Sequence, residues 1–197
     1  MLANPNSPTR HYYSLEEYFA LEHAGDARYE YWRGDIYCMS GGTPEHGIIS
    51  SNVVVTLGNS LRGGPCRVFT ADTAILTPSL PPYRYADASV ACGELKFKTI
   101  QGVGALANPV LIVEVLSPTT AARDHEEKFA IYRGIETFQE YLLISQEEAH
   151  VVQYQRQQDG TWKRRDHTDL RSVLQLDSLG CQLRLEDIYD GVDLARQ

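Results

Sequence analysis

The chain has 197 residues and a mass of 22.1 kDa, a length that suits one domain spanning 1–197. Its composition, 43% hydrophobic and 22% charged with 12 Tyr, supplies material for a real core and excludes a low-complexity or disordered chain. Eighteen basic against 26 acidic residues give a net charge of −8, which argues against nonspecific coating of nucleic acid but leaves room for a local basic groove.

The four cysteines (Cys38, Cys66, Cys92, Cys181) are far apart, with no CxxC and no His at zinc-finger spacing. They read as small buried residues in a reducing compartment, without a disulfide framework. The first ten residues carry no apolar h-region and no later segment makes a membrane span, so the expectation is a cytoplasmic protein.

Residues 1–13 read as a flexible lead. Ser14 followed by Glu17 is a capping box, and it predicts a helix to about Ala24. Tyr29–Trp32 and Ile36–Met39 around the turn Arg33-Gly34-Asp35 predict an aromatic hairpin. Thr43 and Pro44 open a second helix, whose buried face is Ile49, Val53, Leu57 and Leu61. Cys66–Thr77 and Tyr85–Cys92 are predicted strands, and 93–108, with its glycines and two lysines, a mobile loop.

Pro109 to Thr120, PVLIVEVLSPTT, is the organising stretch. A short β-branched run bounded by prolines reads as a strand buried on both faces. It contains one acid, Glu114, which is costly to desolvate without a cation, a hydrogen-bonding partner or a metal. Leu at that position would make the strand equally well, so the carboxylate asks for a function. Ala121–Gly134 then reads as a charged amphipathic helix, Glu140–Ser145 as another buried strand, and 151–156 with 161–165 as a hairpin. A short helix over 183–189 ends the predicted elements. Antiparallel strands feeding a βαβ-type crossover predict a mixed sheet between helices.

Asp87 stands in one predicted strand and Glu114 follows 27 residues later in the buried one. If those strands are neighbours, two carboxylates converge in one cleft and suit Mg²⁺ or Mn²⁺, which prefer hard oxygen ligands. Lys128, 14 residues beyond Glu114 on the next helix, reaches the same cleft, where it could orient a water or steady charge on a phosphate. No Walker or Rossmann loop, GxSxG or Cys/His arrangement competes.

SLEEYFAL at 14–21, RYEYWRGDIY at 28–37, GGTPEHGIIS at 41–50, CRVFTAD at 66–72, YADASV at 85–90, NPVLIVEVLSPTT at 108–120, DHEEKFAIYRGI at 124–135 and QEYLLIS at 139–145 together resemble the PD-(D/E)XK restriction-endonuclease-like superfamily. Within it they resemble the bacterial Uma-two type of restriction endonuclease. The resemblance makes Asp87 the metal-binding acid of the second motif, with Ala86 where the family usually has Pro. It makes Glu114 the acid of the (D/E)XK element. Leu116 occupies the usual lysine position, and Lys128 in EEKF matches a lysine moved to the next helix. Glu30 and His46 match further family positions that would support the site.

Each residue also has a plainer reading. Glu114 could be a structural ion pair, Asp87 an edge residue facing water, Lys128 a solvated lysine, His46 a helix cap and Glu30 a cross-strand partner of an arginine. Lys163-Arg164-Arg165 reads as a hairpin surface beside Asp159, Asp166 and Asp169.

The expected fold is therefore α/β with mixed α+β character: a restriction-endonuclease-like mixed central β-sheet flanked by helices, with an N-terminal helix plus hairpin and a C-terminal β-hairpin. The expected function is metal-dependent DNA endonuclease activity, with Mg²⁺ or Mn²⁺ as cofactor and a two-fold homodimer on duplex DNA, by analogy. The alternative is a catalytically inactive module on the same fold that binds nucleic acid or protein.

Overall fold

A computed structural model describes residues 11–25, 27–39, 42–117 and 124–194. The chain divides into two compact units, Met1–Gly41 and Gly42–Gln197.

In the N-terminal unit, α1 covers Leu15–Ala24 and begins as the capping box predicts. The Glu17 amide donates to Ser14 Oγ at 3.2 Å, and the Ser14 amide donates to Glu17 Oε2 at 2.7 Å. That second bond, to the charged form, holds the Glu17 carboxyl below its ordinary range. Gly25 ends the helix in the left-handed region. Strands β1 (Tyr29–Trp32) and β2 (Asp35–Cys38) form the predicted antiparallel hairpin. Arg33 and Gly34 both have positive φ, as a two-residue hairpin turn with the right twist requires. A side chain at Gly34 would also collide with the Tyr12 ring, 2.8 Å from a Cβ placed there. Tyr18 of α1 donates to the Tyr29 carbonyl, and Glu22 accepts from the Tyr29 amide, so helix and hairpin are stitched by side chains.

The second unit is built on a six-stranded sheet in the order β12-β11-β10-β9-β6-β3. Its strands are β3 (Cys66–Thr70), β6 (Ala88–Cys92), β9 (Leu111–Leu116), β10 (Glu140–Ser145), β11 (Val151–Arg156) and β12 (Trp162–His167). Only β9 and β10 run parallel, so the sheet is mixed as expected. Their connection includes a π-helical turn, Asp124–Lys128, and a short helix α3, Phe129–Tyr132. The predicted helix start at 121–123 lies outside the described residues. The turn after α3 approaches another loop so closely that a Cβ on Gly134 would sit 2.6 Å from Pro78 Cγ.

The two-residue period of β9 sorts its side chains. Leu111, Val113 and Val115 face a core with Ile49, Val53 and Leu57 of α2 (Pro44–Ser60). Each such buried aliphatic contributes about 1.5–3 kcal/mol relative to exposure. Ile112 faces the other core, with Phe129, Tyr132, Phe138 and Tyr141. Glu114 shares the parity of Ile112 and so turns towards α3.

Three expectations need correction. The single strand over 66–77 is two: a turn at 71–73 sends β4 (Ala74–Leu76) into a separate four-stranded sheet, β5-β4-β8-β7. The predicted mobile loop 93–108 supplies half of that sheet, as a hairpin of β7 (Phe97–Ile100) and β8 (Val103–Leu106); β5 is Tyr83–Arg84. Cys66 and Cys92 are a disulfide, not separate thiols. They are 26 residues apart but directly opposite in the β3·β6 register, a proximity that sequence spacing does not reveal. A further hairpin, β13 (Val173–Leu176) with β14 (Cys181–Arg184), precedes α4 (Leu185–Ile188). Among the described residues no helix is long and apolar enough to cross a membrane.

Candidate active site

The register of β6 and β9 pairs Ala88 with Val113; Asp87, expected within a strand over 85–92, lies instead in a bend one residue before that pair, because β6 begins only at Ala88. Continuing the antiparallel register by one step sets Asp87 beside Glu114. The Asp87 carboxylate is held there by the Val115 amide, which donates to Oδ2 at 2.7 Å. That amide belongs to the peptide joining Glu114 to Val115, so the two acids are anchored to one short piece of backbone.

On the α3 side, Lys128 Nζ lies 3.0 Å from Glu114 Oε1, and both residues are almost fully buried, at 2% and 3% exposure. The Tyr132 hydroxyl donates to the same oxygen at 3.1 Å. Lys128 and Tyr132 are four residues apart, a spacing that puts two helical side chains on one face. The π turn that ends at Lys128 is a rare geometry, often found where a helix must aim a functional group. Lys128 also donates to the Tyr85 carbonyl at 3.4 Å, so it links the segment carrying Glu114 to the one leading into Asp87. The plainer expectation of a solvated lysine is therefore wrong. A buried pair repays its desolvation only when each ion is hydrogen-bonded further, and here each ion is.

On the α2 side, His46 Nε2 lies 3.3 Å from Asp87 Oδ1. Thr43 caps α2 by accepting from the His46 amide at 3.2 Å, and the His46 ring is 3.5 Å from Ser50 Oγ through Nδ1. Thr43 in turn donates to Gln146, just beyond β10, which fixes the start of α2 near the carboxyl ends of β9 and β10. His46 and Asp87 are both partly exposed, whereas Glu114 and Lys128 are not. One carboxylate is thus open to arriving molecules and the other is set in the core.

Four of the five candidate residues, Asp87, Glu114, Lys128 and His46, therefore meet around the first turn of α2, the start of β6 and the end of β9. Glu30 belongs to the N-terminal unit, buried in β1 opposite Tyr37, so the cross-strand arginine imagined for it is a tyrosine. Tyr132, expected with Phe129 on the inner side of its helix, is buried as expected and also reaches the site, a role that its spacing from Lys128 allows but that the sequence reading does not assign. The Lys163-Arg164-Arg165 cluster follows its plain reading: Arg164 makes two bonds to Asp166, at 2.9 and 2.7 Å.

Among the described residues, no three His, Cys, Asp or Glu side chains cluster closely enough to cage an ion. The oxygens of Asp87 and Glu114 match a different kind of site. Mg²⁺ keeps several waters and is commonly bound through one or two carboxylates plus substrate phosphate, not by a full protein cage. The donor set fits that cation or Mn²⁺ and is too hard for a thiolate-loving metal.

The family pattern of Uma2, described as "Putative restriction endonuclease", matches residues 15–186. The chain belongs to the Uma2 family. Two relatives from Synechocystis sp. (strain ATCC 27184 / PCC 6803 / Kazusa) extend the match. "Uncharacterized protein slr1290" is 34% identical over 179 residues, covering 91% of this chain and 92% of the relative. "Uncharacterized protein sll1609" is 33% identical over 146 residues, covering 74% and 82%. A crystal structure described as "a putative nuclease belonging to DUF820 from Anabaena variabilis ATCC 29413" superposes with a TM-score of 0.68 at 19% identity, covering 89% of this chain and 96% of that one. At that identity the likeness speaks to fold, and it gives this Uma2 chain a nuclease-like fold.

Proposed function

We propose that this protein is a divalent-metal-dependent endonuclease that hydrolyses phosphodiester bonds in DNA. The observation that carries the reading is Asp87 anchored to the peptide following Glu114, with a buried lysine against Glu114. Asp87 and Glu114 would hold Mg²⁺ or Mn²⁺ between them. Bound there, the cation supplies Lewis acidity to the scissile phosphate and lowers the pKa of a coordinated water.

The chain's own groups do the rest. Lys128 faces Glu114 as its partner cation and would present positive charge where a phosphorane-like transition state becomes more negative. Tyr132 limits the rotation of the Glu114 carboxylate by occupying Oε1 alongside Lys128. His46 orients Asp87 from the exposed side and is placed to donate to, or accept a proton from, a group entering beside it.

The same buried pair also suits the second reading, a noncatalytic module, because a lysine seated on Glu114 stabilises the sheet without any metal. Plasmid nicking with Mn²⁺ separates them. Wild type should nick, and Asp87→Ala and Glu114→Ala should not. Equal nicking by all three proteins would remove the assigned site.

A further inference from the structure

The chain has four lysines, at 96, 98, 128 and 163. Lys128 is committed to Glu114, and two of the other three stand two residues apart on the β7 edge of the four-stranded sheet. Lys96 immediately precedes β7 and Lys98 lies within it; both are exposed, and neither makes an ion pair among the described residues. Glu94 is exposed beside them and pairs with neither. Residues i and i+2 of a strand share a face, so the two ammonium groups project together from stems about 7 Å apart.

Between them, on the opposite face, Phe97 is 50% exposed, and Leu95 on the same side is 39% exposed. Phe97 packs against Phe69 in a T-shaped pair, with ring centroids 5.9 Å apart, and half of its surface stays open to solvent. A charged edge strand by itself guards against edge-to-edge pairing, but that role needs no exposed aromatic ring. An open ring flanked by two unpaired lysines has the composition of a stacking platform beside a backbone contact.

The location ties this strand to the catalytic reading. Phe69 faces Ser89 in the β3·β6 register, and Ser89 is two residues, about 7 Å, along β6 from Asp87. A nucleotide chain leaving Phe97 would therefore come to Asp87 within a few nucleotides.

We propose that the β7 edge binds the backbone of a single-stranded nucleic acid, Lys96 and Lys98 neutralising phosphates while an unstacked base lies on Phe97. The strand preference follows from the ring, since a base within a duplex is already stacked on its neighbours. This inference rests on the nuclease reading for its purpose, and its test does not depend on cleavage.

The experiment is fluorescence anisotropy of labelled oligo-dT, and of a labelled duplex of equal length, in EDTA across a salt series. It compares wild type, the double variant Lys96→Gln/Lys98→Gln, Phe97→Ala and, as a control, Lys163→Gln. Wild type should bind oligo-dT more tightly than duplex. The double variant should lower the slope of log affinity against log salt by about 0.7 for each lysine lost. Phe97→Ala should weaken oligo-dT binding on the order of tenfold with the slope unchanged. Lys163→Gln should match wild type, thermal melts of the lysine variants should coincide with wild type because those side chains are exposed, and Phe97→Ala, which also loses its contact with Phe69, should stay folded at the assay temperature.

An unchanged slope in the double variant, full affinity in Phe97→Ala, equal or tighter duplex binding, or no binding by wild type would each overturn the assignment. Binding as described from a protein that never nicks DNA would defeat the nuclease reading and leave this surface standing.

Discussion

Two acids are buried in adjacent parallel strands of one sheet, and the chain treats them in opposite ways. Glu114 in β9 faces a cation, Lys128, with a tyrosine hydroxyl beside it. Glu140, which opens β10 and is 0% exposed, faces neutral donors: Gln153 Nε2 at 3.0 Å, the Ser178 amide at 3.2 Å and the Ser178 hydroxyl. Gln153 also donates to the Gln175 carbonyl, so Glu140 ties β10 and β11 to the β13–β14 hairpin. A cation fixes a carboxylate in its charged form, which a metal ligand needs. Neutral donors leave desolvation dominant, and burial pushes the Glu140 carboxyl above its ordinary range. Burial alone therefore does not single out a site, and the proposed one rests on burial combined with a lysine and a partly exposed carboxylate next door.

The largest effect that would break this contrast is catalytic. Losing a metal ligand removes several kcal/mol of transition-state stabilisation, so Glu114→Ala should lower the nicking rate on the order of 100-fold or more. Glu140→Gln should stay near wild type. Comparable losses in both, measured by gel under identical Mn²⁺, would erase the distinction.

Next comes stability. Lys128→Met leaves the buried Glu114 carboxyl without its partner charge, and urea unfolding should show a loss of about 3–5 kcal/mol. Glu140→Gln alters hydrogen bonds that do not hold a buried ion against a partner charge, and should cost about 1–3 kcal/mol.

Smaller still is a pH effect confined to Glu140. Its folded pKa lies above the unfolded value near 4.5, so between those values the folded state binds the extra proton. The stabilisation tied to that proton is present in full below the unfolded pKa and lost as pH rises through the folded one. The stability difference between wild type and Glu140→Gln should therefore be largest at the acid end and shrink towards neutrality. A difference that grows with pH would contradict the assignment.

The smallest expected change sharpens the Glu114 side. Tyr132→Phe removes one hydrogen bond worth about 1 kcal/mol, and should weaken Mn²⁺ binding roughly fivefold by calorimetry. Phe138→Leu, in the same core, should lower the melting temperature without touching that affinity.

How much of this was legible in the sequence depends on range. The Ser14–Glu17 capping box, the Thr43 cap and the aliphatic run of β9 act over a few residues, and all three stand as expected. The mixed sheet followed from antiparallel strands feeding one crossover, and the restriction-endonuclease-like fold class from the family resemblance. The Cys66–Cys92 pairing depended on a strand register set by the whole sheet, which spacing along the chain does not encode. The 93–108 hairpin was hidden because its glycines resemble loop composition, while Gly93 and Gly102 in fact supply positive φ at turns. At the site, charge and spacing brought Asp87, Glu114 and Lys128 forward. The Val115 amide and the Tyr85 carbonyl could not be found that way, because every residue has both groups and only the fold aims them.

The most direct test is calorimetric titration of Mn²⁺ into wild type, Asp87→Asn and Glu114→Gln. Binding to wild type that both isosteric changes abolish or weaken at least tenfold is the expected result, since either carboxylate alone leaves a hard cation half-held. Equal Mn²⁺ affinity in all three proteins, or none in wild type, would contradict a shared ion between these two acids.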